Sequence, residues 1–227
     1  PINITKQNVE DIFSNKLKLI FKKINTESKI GLVNGLYATS NGIGGITIIE
    51  AYKTPNNTKL NLILTGQQGD VMKESMQCSK TVAWNIIPDK LKENLNKDLD
   101  KNVWGIHIHC PEAATPKDGP SAGGAITLAL ISLLTNIPVK NTVALTGEID
   151  LNGNIHVIGG LEYKIDGGKT AGAKLILYPR NNEQDIDIIK KNNPDILNGI
   201  EIKPIDNIWD VIDLALEDND IDFKKYI

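Results

Sequence analysis

The sequence predicts a mixed α/β fold built around a buried central helix, and three observations carry that expectation. Gly31–Ala38, Ile46–Tyr52 and Lys59–Thr65 are aliphatic runs, many of their residues β-branched, bounded by Gly, Asn or Pro; such runs read as strands. Thr115-Pro116-Lys117-Asp118-Gly119-Pro120-Ser121-Ala122-Gly123-Gly124-Ala125 is a loop that runs directly into the apolar stretch Ile126–Leu134. The second half then alternates strand and helix patterns, the habit of α/β chains.

Taken in order, residues 1–30 are polar and Lys-rich, with Ile12, Leu17, Ile20 and Phe21 spaced as a short amphipathic lead-in helix. The three strands that follow have short connections, which predicts an antiparallel meander. Gly69 and Asp70 open a helix on which Val71, Met72, Ser75, Ser79 and Val82 recur at helical spacing, and Pro88 stops it. Leu91–Leu99 reads as a second, exposed helix. Val103–Cys110 alternates, with Ile106 and Ile108 on one face and His107 and His109 on the other. The helix after Ser121 is apolar nearly all round, and a helix of that kind is central and buried. Strands at Thr142–Thr146 and Ile155–Ile158, a helix at Leu161–Gly172 and a strand at Lys174–Tyr178 come next. A helix from Glu183, a strand at Ile200–Lys203 and a last helix capped by Asp206 or Asn207 complete the pattern. From Glu217 the acidic tail to residue 227 is expected to be flexible. No repeat, linker or composition shift divides the 227 residues, so one domain is expected.

Composition narrows the function. The chain is 41% apolar and 23% charged, with a net charge of -3 and a pI near 5.7. No basic face is implied, which argues against a nucleic-acid partner. No apolar window is long enough to span a membrane, and no basic start followed by an apolar run suggests a secretory signal. Cys78 and Cys110 fit no metal-ligand spacing. An intracellular location is expected, with no metal and no cofactor held by this chain. No phosphate-loop motif is present, since Tyr163 stands where Gly168-Lys169-Thr170 would need a glycine.

Ser121 heads the candidate chemistry. Helix N-termini present free N–H groups and the positive end of a dipole, so a nucleophile there sits beside oxyanion donors. A plain N-cap serine would look the same. Lys164 lies next to the apolar face of its helix, where desolvation lowers a lysine's pKa and lets the neutral amine take a serine proton. A surface lysine is the bland alternative. His107 and His109, with Asp118, offer a Ser-His-Asp set on paper. A phosphate-binding module and a catalytically silent ring scaffold also stay open.

Four blocks together resemble the proteolytic domain of Lon proteases, A subtype. They are Leu64-Thr65-Gly66-Gln67-Gln68-Gly69-Asp70, His107 to Thr115, Pro116-Lys117-Asp118-Gly119-Pro120-Ser121-Ala122-Gly123, and Thr146-Gly147-Glu148 through Gly159-Gly160-Leu161 to Lys164. Lys164 follows Ser121 by 43 residues, which is similar to the family's dyad spacing. The resemblance implies a serine endopeptidase with Ser121 as nucleophile and Lys164 as base. It implies Thr146 as the lysine's hydrogen-bond partner, and an oxyanion hole among the N–H groups from Gly119 to Ala122. Asp118 matches an aspartate that contacts the lysine in resting forms, and Glu50, His107 and His109 are implied to lie near the site. The family's ATPase and substrate-binding modules, with ATP and magnesium, are expected outside this chain. Polypeptide substrates, an AAA+ partner module and a six-membered ring are implied, in cytoplasm, mitochondrial matrix or, for a virus, the host cell. Two departures stand out. Gly167-Gly168 follows the lysine where relatives carry helix formers, which predicts a loosened helix. The hairpin around Tyr37–Gly45 is longer and lacks a tryptophan.

Overall fold

The computed structural model describes residues 3–13, 22–111, 117–218, 221 and 223. A seven-stranded mixed sheet organises them, in the order β3-β4-β2-β1-β5-β8-β9. β1 (Leu32–Ala38) and β2 (Gly44–Pro55) form an antiparallel hairpin. β5 (Val143–Leu145) pairs parallel to β1, β8 (Leu175–Pro179) to β5, and β9 (Glu201–Ile205) to β8.

The expected meander is not formed. β3 (Leu62–Thr65) does not pair with β2; β4 (Trp104–His109) lies between them, antiparallel to β2 and parallel to β3. A parallel pair needs a long crossover, and α2 (Asp70–Ile86) with α3 (Asp89–Lys101) supplies it. Aliphatic periodicity marks a strand but not its neighbour. Thr146-Gly147 leads into a separate hairpin of β6 (Glu148–Ile149) and β7 (Ile155–His156). Asp150 closes that hairpin's turn by accepting from the Asn152 and Asn154 N–H groups.

One face of the sheet packs Val33, Ile49, Ile108, Leu145 and Leu177 against α2, α4 (Gly123–Thr135) and α7 (Ile208–Ala215). Every residue of α4 except Leu133 and Thr135 is buried, as the all-round apolar pattern requires. The other face packs Leu36, Ile46, Ile48 and Ile176 against α5 (Leu161–Ala171) and α6 (Glu183–Asn192). Asn207 caps α7 in a reciprocal capping box with Asp210.

The glycine pair in α5 does not interrupt the helix. A Cβ on Gly167 would lie 2.2 Å from the Gly44 carbonyl carbon and the Gly45 nitrogen, and one on Gly44 would lie 1.7 Å from the Tyr163 oxygen. The residues that appeared to loosen the helix are what lets it lie directly on the β2 backbone. At the N-terminus, α1 (Lys6–Phe13) includes Ile12, which is exposed; Leu17, Ile20 and Phe21 of the expected helix fall outside the described residues. The tail is not free throughout: Phe223 is buried in the main core and Ile221 packs against it, while the Glu217 N–H donates to the Pro138 carbonyl.

Candidate active site

Two glycine-rich segments far apart in sequence meet at the start of α4. The Lys117 N–H donates to the Gln67 carbonyl at 3.0 Å, and the Gly69 N–H donates to the Lys117 carbonyl at 2.7 Å. Gly66, with φ of +107°, lies so near Cys110 that a Cβ would sit 2.1 Å from its carbonyl oxygen. Asp118 accepts the Met72 and Gly119 N–H groups, each at 2.9 Å. Those amides hold its carboxyl below the usual carboxylate range. Gly119 follows at φ +104°, and the Gly123 N–H closes the turn on the Pro120 carbonyl. Ala122, not Ser121, occupies the α4 N-cap, and no side chain caps it. The Ser121 hydroxyl is therefore not spent on the helix. Among the described residues, neither it nor the Ser121 and Ala122 N–H groups have a hydrogen-bond partner.

Lys164 approaches from α5, the helix pressed onto the sheet by its glycines. It is only 4% exposed and has no ion-pair partner among the described residues. Burial alone lowers its pKa from 10.5 to about 8. Its Nζ donates to Thr146 Oγ1 at 3.0 Å, and Thr146 Oγ1 donates to the Ser121 carbonyl at 3.1 Å. That carbonyl also accepts the Gly147 N–H at 2.7 Å, and the Gly147 carbonyl accepts the Gly124 N–H at 3.0 Å. Thr146-Gly147 thus stitches the end of β5 to the mouth of α4 and ties the lysine to the same junction.

Ser121 stands between two clefts. One, of about 340 Å³, it shares with Lys164, Asp118, Glu148 and Ile158. The other, of about 290 Å³, has walls from Leu36, Thr47, Met72 and Ala122. Asp118 opens onto both, but its carboxylate is turned to α2 and makes no hydrogen bond to Lys164.

Glu50, His107 and His109 line neither of the Ser121 clefts, and neither imidazole bonds Ser121 or Asp118. Both imidazoles bond the Thr65 hydroxyl, at 2.8 and 2.7 Å. His109 lies opposite Glu50, which lies opposite Leu32 at the start of β1. The Ser121 clefts take Leu36 and Ala38 from the other end of that strand, about 13 Å further on at the usual rise per residue. The histidine triad that the spacing allowed is not assembled.

Residues 3–218 match the Lon protease (S16) C-terminal proteolytic domain. The chain belongs to this family. It is 40% identical over 241 residues to a Lon protease homolog of Acanthamoeba polyphaga mimivirus, covering 99% of this chain and 23% of that protein. It is 42% identical to the Lon protease of Buchnera aphidicola subsp. Baizongia pistaciae and 39% identical to that of Vibrio parahaemolyticus, each match covering 95% of this chain and 26% of the relative. The chain thus spans about a quarter of the length of these relatives. Within the Lon proteolytic domain, two of the blocks that carried the resemblance in sequence, Lys117 to Gly123 and Thr146 to Lys164, meet at the cleft that Ser121 and Lys164 share. Sequence reading missed Thr47 and Asn182. Asn182 is buried and holds Ile158 of the cleft wall through both its N–H and its carbonyl; nothing in Arg180-Asn181-Asn182 sets it apart from a surface turn. Among the described residues no group of His, Cys, Asp and Glu could hold a metal ion, and no helix is long and apolar enough to cross a membrane.

Proposed function

We propose that this Lon-type domain is a serine endopeptidase that works through a Ser121–Lys164 dyad. The observation that carries the reading is a lysine buried, among the described residues, without a counter-ion, in the same cleft as a serine at a helix mouth whose hydroxyl has no partner there. The hydrogen-bond directions support it. Because Thr146 spends its proton on the Ser121 carbonyl, it can only accept from Lys164. A neutral Lys164 amine therefore donates to Thr146 and keeps its lone pair for the serine proton. Ser121 Oγ attacks the scissile carbonyl as its proton passes to Nζ. The uncommitted Ser121 and Ala122 N–H groups face the developing oxyanion. Gly119, whose N–H is held by Asp118, is not free to join them. The lysine ammonium then protonates the leaving amine, and a water activated by the neutral lysine hydrolyses the acyl-serine.

The substrate in this reading is an extended polypeptide. β1 pairs with β5 at Asn34 and Gly35, and Leu36 and Ala38, just beyond that pairing, line the Ser121 clefts. A peptide backbone laid there would add as a strand. Family membership supports an AAA+ module as the source of unfolded chain and a six-membered ring as the working assembly. The two free thiols suit a reducing cytoplasm or mitochondrial matrix, or a viral host cell. Ser121→Ala and Lys164→Arg test the dyad on a flexible fluorogenic peptide. Both should abolish cleavage with the fold intact, because a guanidinium stays charged near neutrality. Substantial turnover by either variant would refute the dyad.

A further inference from the structure

The loop that carries Ser121 is fastened to a helix that begins about 50 residues upstream. α2 starts at Asp70 with Gly69 at its N-cap, which has no side chain to offer the free amides of the first turn. Asp118 supplies the missing cap from the nucleophile loop: its Oδ1 accepts the N–H of Met72, the third residue of α2. The same oxygen accepts the N–H of Gly119. One atom therefore joins the helix to the loop two residues before Ser121. The seat is shaped for this carboxylate. A Cβ at position 69 would lie 2.3 Å from Asp118 Cγ and 2.5 and 2.6 Å from its two oxygens. The backbone pairing of Lys117 with Gln67 and Gly69 brings Asp118 to the seat.

We propose that Asp118 is a positioning residue, a latch that holds the nucleophile loop on the N-terminus of α2 so that Ser121 stays in the cleft with Lys164. The proposal rests on Ser121 being the nucleophile. Released from α2, the loop keeps its backbone ties at Lys117 and those at the Ser121 carbonyl, with the segment between them untethered. Gly119, at φ +104°, is then free to swing, and the Ser121 hydroxyl loses the placement that acyl transfer needs.

The test separates the latch from helix capping. Gly69→Ser evicts the carboxylate but gives α2 its own cap, since a serine at the N-cap accepts the N–H of the third helical residue, Met72. Asp118→Asn keeps an acceptor oxygen in place, and Asp118→Ala removes it. Amide hydrogen exchange at Met72 and Gly119, unfolding temperature, and kcat and KM on a flexible peptide are measured for all three and the parent. The parent should protect both amides. Gly69→Ser should keep Met72 protected and the unfolding temperature within a few degrees, while Gly119 exchanges freely and kcat falls about tenfold or more at nearly constant KM. Asp118→Ala should lose both protections and the same kcat; Asp118→Asn should keep most of both. An unprotected Gly119 amide in the parent overturns the latch, as does parental kcat in Gly69→Ser with Gly119 freely exchanging. A parent that protects both amides yet cleaves nothing refutes the peptidase reading and leaves the tether itself confirmed by exchange.

Discussion

Lys164 illustrates how one buried side chain couples stability to reactivity. Its pKa falls from 10.5 to about 8 in the fold, so between those values the unfolded chain binds more protons than the folded one. Stability therefore rises with pH across that window. Below pH 8 both states are charged and the folded state carries the whole desolvation cost, about 3 kcal/mol at 1.36 kcal/mol per unit. Lys164→Met should accordingly stabilise the domain at pH 7, by up to that amount, with the advantage shrinking between pH 8 and 10.5. Urea denaturation across pH checks it, and a gain that does not depend on pH would contradict the assignment. The same titration should appear in catalysis, with kcat/KM rising to a plateau around a midpoint near 8. Thr146 belongs with it. Thr146→Ser keeps both hydrogen bonds and most of the rate, whereas Thr146→Val frees the lysine and should cost about 100-fold in kcat. Thr47 offers a separate case. Its Oγ1 is buried without a partner among the described residues, so Thr47→Val should stabilise by about 1 kcal/mol, read as a higher unfolding temperature.

At the scale of elements, α5 and β2 depend on glycine for contact rather than for freedom. A glycine inside an exposed helix is improved by alanine, by about 1 kcal/mol. Gly167→Ala should do the reverse, because its Cβ would fall 2.2 Å from the β2 backbone. Overpacking of this kind costs about 3 kcal/mol, and the shift of α5 should carry Lys164 with it and lower kcat. Denaturant midpoint and peptide turnover measure both effects. Those two glycines also show where sequence reading stops. As isolated residues they point to a weak helix; only the approach of Gly44 from another element reveals their use. α4 was legible because an all-round apolar helix has one place to go. The nucleophile loop and the Thr146 and Lys164 segments were legible because their spacing resembles a family. The position of β4 between β2 and β3 was not, since strand periodicity holds no information about partners. Asn182 and Thr47 were equally silent, because their surroundings come from segments brought together only by folding.

For the whole molecule, the sheet serves as a frame that brings three loops to one end. The hairpin after β1, the segment after β7 and the Ser121 loop before α4 all border the Ser121 clefts. No part of this frame contains a phosphate-loop motif. The 227-residue chain should therefore cleave flexible peptides slowly. It should leave tightly folded proteins intact, since freeing a strand from them means overcoming about 5–15 kcal/mol. ATP with magnesium should change neither rate. The most direct measurement is mass spectrometry of the chain after a serine-directed fluorophosphonate, with Lys164→Ala run beside it at pH 8. The dyad requires one adduct, on the peptide containing Ser121, and its loss or steep slowing in Lys164→Ala. Labelling of another serine, or labelling of Ser121 at the parental rate without the lysine, would contradict it.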